Sequence, residues 1–339
     1  MIRTGLIGFG LGGTAFHAPL IAAVDGLELA AVATSRADSV RAAYPDAAIT
    51  DADALIADPA IDLVVISTPN PTHFPLAQAA LAAGKHVVVD KPLTPSAAAA
   101  EALIAQAASS GRLVVPFHNR RWDSDFLAVR ALVESDRLGE ILLFEAHWDR
   151  FRPDLAQAWK EAPGAGQLLD LGPHMLDQVL VLFGMPEAVS ADITGQRGNS
   201  PVDDYFLLTL FYGARRVVLA SSRMIAAPRP RFAIHGRGGS FVKYGLDPQE
   251  AAMRAGGSVL DPGHGIEDPA QHGVLTLPDG TRETIASARG EYRRFYTGVA
   301  AAIRGEALSP VAAEDALAGL RLIEAAQQSA AEGRRISIG

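Results

Sequence analysis

The sequence predicts an α/β fold: a doubly wound parallel sheet over the first third of the chain, then a domain on an antiparallel or mixed sheet with one face against helices. Three observations carry this. Short apolar runs alternate with alanine-rich helical stretches up to about Asn119. A glycine-rich turn joins the first apolar run to the first helical stretch. From Glu187 onward, strand-like segments follow one another directly. Strand–helix alternation gives right-handed crossovers and a parallel sheet, whereas consecutive strands pair antiparallel. The change of character near Asn119 divides the 339 residues into domains at 1–119 and 120–339, each long enough to bury a core.

Residues 4–7, 27–33, 61–67, 87–89 and 113–117 are near-continuous in Val, Ile, Leu and Ala, as strands covered on both faces are. Between them, 71–83 and 95–109 read as helices stopped by Gly84 and Gly111, since glycine readily ends a helix. Residues 123–136 read as a linking helix, and 141–150 alternate as a half-exposed strand does. Strands are then predicted at 188–194, 205–212, 215–222, 231–235 and 240–244, a surface loop at 261–265, and closing helices at 292–304 and 312–331.

Composition narrows the function. A formal net charge of -8, with no basic run longer than two residues, argues against a nucleic-acid partner, because phosphate neutralisation needs a basic surface. The chain has no cysteine, which excludes disulfides, thiolate metal sites and cysteine nucleophiles. No apolar run approaches the roughly 20 residues of a membrane span, and the strand-like start leaves no room for a signal peptide. The expectation is a cytoplasmic protein without membrane partners.

Gly8-Phe9-Gly10-Leu11-Gly12-Gly13 fits the G-x-G-x-x-G spacing with glycines at 8, 10 and 13. The first allows a tight turn, the second lets backbone approach a pyrophosphate, and the third lets the helix pack closely. Free N–H groups at the helix start then meet the phosphates. Pro19 should kink or restart that helix near His17. At the end of the second strand, an NAD site usually offers a carboxylate to the ribose hydroxyls. Here Thr34-Ser35-Arg36 stands instead, and a hydroxyl with a guanidinium suits a 2′-phosphate. NADP is therefore favoured over NAD, with Ser35 and Arg36 as its readers.

Two clusters carry chemistry. His86-Val87-Val88-Val89-Asp90-Lys91-Pro92 is a buried strand whose end presents a carboxylate, an ammonium and a proline. Ligands bind at such carboxyl edges, so Lys91 is a candidate for polarising a substrate oxygen; capping a surface turn is the plainer alternative. Within Gly164 to Asp177, Asp170 and His174 are four apart and share a face if 169–183 is helical. A carboxylate beside an imidazole suits a general base. A structural histidine is the alternative, and no further ligand at suitable spacing supports a metal site.

The glycine turn, Thr68-Pro69-Asn70 with His73, Asp90-Lys91-Pro92, and Asp170 with His174 together resemble the glucose–fructose oxidoreductase / inositol dehydrogenase / rhizopine catabolism (Gfo/Idh/MocA) family along the whole chain. The strings Phe16-His17-Ala18-Pro19, His118 to Phe126, Asp149 to Pro153 and Lys243 to Glu250 are most similar to the branch holding NADP-dependent scyllo-inositol dehydrogenase. The resemblance implies an N-terminal Rossmann domain and a C-terminal α/β domain with an open, mostly antiparallel sheet. It implies that Lys91 bonds the substrate oxygen, that Lys91–Pro92 is cis, that His174 takes the hydroxyl proton, and that Asp170 orients substrate or assists the base. Phe9 and Leu11 of the glycine turn, with Thr68, Pro69, Asn70, His73, Asp90 and Lys91, would line the cofactor. Asp90 stands where the family has glutamate, so its carboxylate reaches less far.

The expected activity is NADP-dependent hydride transfer between nicotinamide and a cyclitol, polyol or sugar carbon. An NAD-dependent aldose 1-dehydrogenase and a non-catalytic NAD(P)-sensing transcriptional regulator are the rivals; a sensor has no need of Lys91, Asp170 and His174. Asn119, Arg120, Trp122, Arg152 and Trp159 are candidate substrate contacts, with structural arginines and core tryptophans the plainer alternative. An exposed sheet face and the habit of the family suggest a homodimer or homotetramer.

Overall fold

The computed structural model describes residues 1–155, 165–198 and 200–338. Its contacts form two compact units. The first comprises Met1–Trp122, Pro248–Gly265 and Glu291–Leu317; the second comprises Asp123–Asp247, Ile266–Gly290 and Ala318–Gly339.

In the first unit, strands β1 (Ile2–Ile7), β2 (Leu27–Ala33), β3 (Ala48–Thr50), β4 (Leu63–Ile66), β5 (His86–Val89) and β6 (Val114–Pro116) make a parallel sheet in the order β3-β2-β1-β4-β5-β6. The order reverses beside β1, where β2 lies on one flank and β4 on the other. This is the topological switch point at which doubly wound sheets bind ligands. Helices α1 (Ala18–Ala22), α2 (Ala37–Ala43), α3 (Ala52–Ala57), α4 (His73–Ala82) and α5 (Ala97–Ser110) connect the strands. Ser96 caps α5 through its hydroxyl, and Gly111 closes it in the left-handed conformation, as the sequence suggests for a glycine stop.

The first helix does restart near His17. Gly13–His17 forms one widened π-turn, with the Ala18 N–H reaching back to the Gly13 carbonyl, before α1 begins. Pro19 has no N–H to give to an ordinary helical turn, and π-turns accommodate such a break.

The first unit is not a continuous stretch of chain. Helices Gln249–Arg254 and Arg293–Ile303 return to it and place Met253, Tyr292, Phe295, Tyr296 and Val299 in its hydrophobic core beside Leu6, Ile21, Val32, Val65 and Phe117. Those aromatic side chains are largely or wholly removed from water, so contacts divide the chain otherwise than at a single cut after residue 119.

The second unit is built on a nine-stranded sheet. Strands β7 (Ile141–His147), β8 (Ala188–Thr194), β9 (Tyr205–Tyr212), β10 (Arg215–Ser222), β11 (Phe232–Gly236), β12 (Gly239–Lys243), β13 (Gly273–Thr276), β14 (Arg282–Ile285) and β15 (Ile336–Ser337) lie in the order β14-β13-β12-β11-β7-β10-β9-β8-β15. Every pairing is antiparallel except β7 with β10. Along β9, Phe206, Leu208 and Leu210 are fully buried while Leu207, Thr209 and Phe211 are half exposed. That two-residue period gives the sheet one core face. Helices α6 (Ser124–Glu134) and α7 (Gln167–Phe183) supply Phe126, Val129, Leu171, Met175 and Val179 to that core, and the helix Ala313–Glu332 adds Leu322, Ile323 and Ala326.

Candidate active site

At the end of β1 the chain must turn sharply at the switch point. Gly8 does so at φ +98°, and a Cβ there would lie 2.1 Å from the Ser67 carbonyl oxygen, which no side chain tolerates. A Cβ on Gly13 would lie 2.2 Å from the Gly8 carbonyl oxygen, so the helix packs as closely as only glycine permits. Gly10 differs: a Cβ there meets nothing within 4 Å. The turn is therefore packed underneath and open at Gly10, beside a helix start whose first N–H groups lack helical partners. That shape fits a pyrophosphate. Phe9 is buried against Tyr44 with ring centroids 6.3 Å apart, so it offers a ligand only backbone, while Leu11 is exposed.

The end of β2 leads to Ser35 and Arg36, both exposed. The Arg36 N–H donates to Thr34 Oγ1 at 3.0 Å, shaping the turn. The nearest following carboxylate, Asp38, is paired with Arg41 at 2.9 Å, which leaves the Arg36 guanidinium facing solvent.

The end of β5 brings Asp90 and Lys91 next to this turn, and the Lys91–Pro92 peptide is cis. Asp90 Oδ1 accepts from the Lys91 N–H at 2.8 Å and Oδ2 from the Ser67 hydroxyl at 3.3 Å. A Cβ on Gly12 would come within 2.9 Å of Asp90 Oδ2, so this carboxylate lies directly under the glycine turn. Burial alone would raise the Asp90 carboxyl, but His17 and then the charges of Lys91 and His73 hold it well below the usual carboxylate range.

Thr68, Pro69 and Asn70 follow β4 at the surface of the same crevice, with Pro69 exposed. His73 is buried. Its Nδ1 lies 2.7 Å from the Pro92 carbonyl oxygen and its Nε2 2.8 Å from that of Thr68. The imidazole thus ties the turn after β4 to the turn after Lys91, and both its nitrogens are engaged by backbone.

In the second unit, α7 carries Asp170 and His174 four residues apart, hence on one face. The first turn of α7 is firmly anchored. The Gln167 and Leu168 N–H groups donate to the Asp203 carbonyl at 2.9 Å and its Oδ2 at 2.7 Å. The buried Gln167 side chain donates to Ser221 Oγ at 2.7 Å and accepts from Arg223 Nε at 2.8 Å. His174 is buried, its ring 6.1 Å from that of Trp148. Rigid elements with such support hold reactive groups better than loops do. Arg152 is exposed, its N–H bonded to the Arg223 carbonyl at 2.7 Å. Trp159 lies outside the described residues.

The remaining candidate substrate residues lie inside the first unit. Asn119 is buried, Trp122 packs edge-on to Phe295 at 6.0 Å, and the Arg120 guanidinium bonds Glu250 and, at 2.6 Å, the Tyr292 hydroxyl. Arg120 thereby secures the returning segments to the sheet domain. Residues that sequence reasoning did not assign to the site are Ser67, His17 and Tyr296. The Pro19 irregularity and the string Phe16-His17-Ala18-Pro19 were the local signals for His17; Tyr296 gave none.

Comparison with known proteins identifies the family. The chain matches the NAD-binding Rossmann fold of the Gfo/Idh/MocA oxidoreductase family over residues 2–118 and that family's C-terminal alpha/beta domain over 130–338. The chain belongs to this family. The Gfo/Idh/MocA assignment extends to individual relatives over nearly full length. The chain is 44% identical to the uncharacterized oxidoreductase YdgJ of Escherichia coli, covering 97% of this chain and 96% of that one. It is 40% identical to the scyllo-inositol 2-dehydrogenase (NADP(+)) IolW of Bacillus subtilis, covering 99% and 96%. The solved structure of yvaA from Bacillus subtilis superimposes with a TM-score of 0.97 at 40% identity, covering 100% of this chain and 98% of that one. As a family member the protein is an oxidoreductase with an NAD(P)-binding Rossmann domain. Among the described residues, no helix is long and apolar enough to cross a membrane.

Proposed function

We propose that the protein is an NADP-dependent dehydrogenase or reductase of a cyclitol, polyol or sugar, similar in reaction to scyllo-inositol dehydrogenase. The observation that carries the reading is Lys91, held on the carboxyl edge of β5 beside a glycine turn shaped for a pyrophosphate. The similarity to IolW supports NADP and a cyclitol, as does 29% identity over 350 residues to an inositol 2-dehydrogenase of Rhizobium meliloti. Arg36, exposed just after β2, supports a 2′-phosphate.

NADP, when bound, supplies the hydride acceptor. Gly8, Gly10 and Gly13 shape the turn that receives its pyrophosphate, with Thr68, Pro69 and Asn70 toward the nicotinamide side. In the oxidative direction His174 takes the hydroxyl proton, oriented by Asp170 one helical turn earlier. Lys91 donates a hydrogen bond to a substrate oxygen and stabilises the charge that develops there. Reduction of a ketone reverses these roles. Arg152 and Asn119 stay as candidates for substrate hydroxyls. The half-exposed face of the nine-stranded sheet, with Leu207, Phe211 and Val218, is the surface we assign to self-association; light scattering reads it.

The test is reduced-cofactor absorbance with NADP and NAD against inositols, inososes and common aldoses. Turnover of an inositol or inosose with NADP is expected. NAD-linked oxidation of aldoses would replace the reading by the aldose 1-dehydrogenase, and cofactor binding without turnover of any polyol or sugar would favour a sensor.

A further inference from the structure

Beneath the glycine turn lie three side chains that no step above uses: His17 and Tyr296, both buried, and the half-buried Asp90. We infer that these three are positioning residues which fix Lys91 in place, an inference that rests on reading Lys91 as the oxygen-polarising group.

His17 is wholly buried at the end of the π-turn, its ring 4.2 Å from that of Phe117. Its Nδ1 lies 2.7 Å from the Tyr296 hydroxyl. Its Nε2 lies 3.6 Å from Asp90 Oδ2, an electrostatic contact slightly longer than a hydrogen bond, and has no hydrogen-bond partner among the described residues. Burial, and then the charge of Asp90, push the Tyr296 phenol well above its ordinary pKa. The phenol therefore keeps its proton and has one to give to Nδ1. A neutral imidazole that accepts at Nδ1 carries its proton on Nε2, and that proton faces the Asp90 carboxylate. The other carboxylate oxygen accepts from the Lys91 N–H at 2.8 Å. The order is thus phenol to imidazole, imidazole to carboxylate, and carboxylate to the backbone of the lysine.

This arrangement accounts for aspartate at position 90. A glutamate would carry the carboxylate about 1.5 Å further, toward the place where a Cβ on Gly12 already comes within 2.9 Å of it. His17 is the last residue of the widened turn before Pro19, and from there its Nε2 faces the shorter side chain. Tyr296, 279 residues away in sequence, locks the imidazole from the other side.

The experiment uses Tyr296→Phe, which removes one buried oxygen, with Asp90→Asn and the double variant. Two quantities are read: kcat and KM with saturating NADP, and the NMR signal of 13C-dimethylated Lys91 in the NADP-loaded protein. The chain has only the lysines 85, 91, 160 and 243, so Lys91→Met assigns that signal. Tyr296→Phe is expected to lower kcat about tenfold, the size of one hydrogen bond, with KM changed less than about twofold. The Lys91 signal should move in the same direction in Tyr296→Phe and Asp90→Asn, and the double variant should match Asp90→Asn alone. An unmoved Lys91 signal in Tyr296→Phe, whether or not the melting temperature falls, would overturn the inference, as would additive effects in the double variant. If Lys91→Met keeps its turnover, the role given to Lys91 fails, while its signal in the other variants still reports whether the trio fixes it. Should Asp90→Asn not fold, Tyr296→Phe decides alone.

Discussion

Replacing Gly10 by alanine separates nucleotide binding from folding in a way the other glycines do not. A Cβ at Gly10 meets nothing within 4 Å, and its φ lies outside the left-handed region. The unliganded protein should therefore melt at the wild-type temperature or slightly above, because alanine narrows the unfolded ensemble. The new methyl stands on the open side of the turn, where a phosphate must approach backbone. Loss of one charge-assisted hydrogen bond there amounts to roughly 1.5–3 kcal/mol, a Kd for NADPH weakened about 10- to 150-fold. Gly8→Ala is the contrast. At φ +98° and 2.1 Å from the Ser67 carbonyl oxygen, it carries about 1–3 kcal/mol of backbone strain before any ligand arrives. It should lose several degrees of melting temperature as well as affinity. NADPH fluorescence titration and thermal melts without cofactor measure both. Wild-type affinity in Gly10→Ala would refute the argument that this face receives the pyrophosphate, and so would equal melting losses in the two variants.

Lys91→Met and His174→Ala should each remove most turnover with NADP affinity nearly unchanged; near-wild-type rates in either variant would end the role given to it. Arg36→Asp should weaken NADP much more than NAD, by roughly tenfold or more for a lost guanidinium–phosphate pair, and an unchanged ratio of the two Kd values would show that Arg36 does not read the phosphate. In the second unit, Asp204 accepts from Arg197 Nε at 2.8 Å, with both side chains almost fully buried. Burial raises the Asp204 carboxyl, but Arg197 and the N–H groups of Gln196 and Arg197 outweigh it and hold the pKa below the usual value. A depressed folded pKa contributes stability above the unfolded pKa of about 4, and that stability is lost as pH falls through the folded value. Arg197→Ala should therefore cost roughly 3–5 kcal/mol at neutral pH, and the gap to wild type should narrow below about pH 4. A gap that stays constant in urea melts from pH 7 to pH 3 would contradict this.

Where the sequence predicted structure well, the signal was local. Strands β2, β8, β9 and β10 were legible to the residue because apolar or alternating runs end at turn residues such as Gly213. The strands that escaped prediction, β3, β13, β14 and β15, have two to four residues each and lie at or near sheet edges. Too few of their side chains are buried to leave a pattern. Helix α2 escaped for the same reason, with Val40 its only buried residue. In the site, the glycine turn and the Lys91 strand end were readable because the chemistry sits within a few consecutive residues. Arg120 was not, since its partners Glu250 and Tyr292 are 130 and 172 residues away. A sequence shows the guanidinium but not what meets it.

Asp90 joins these two kinds of information. By motif alone it is a glutamate position shortened by one methylene, and nothing nearby explains the change. In the fold, its two oxygens are divided among the Lys91 N–H, the Ser67 hydroxyl and the edge of His17, and His17 closes the widened turn that precedes Pro19. Shortening the acid and kinking the helix are thus two halves of one adjustment. If so, Asp90→Glu should be harmful while His17 stays in place, and less harmful in His17→Ala, where the removed ring leaves room for the longer side chain. Melting temperature and NADPH affinity measure this directly. Equal penalties for Asp90→Glu in the two backgrounds would show that the helix irregularity and the motif departure are independent.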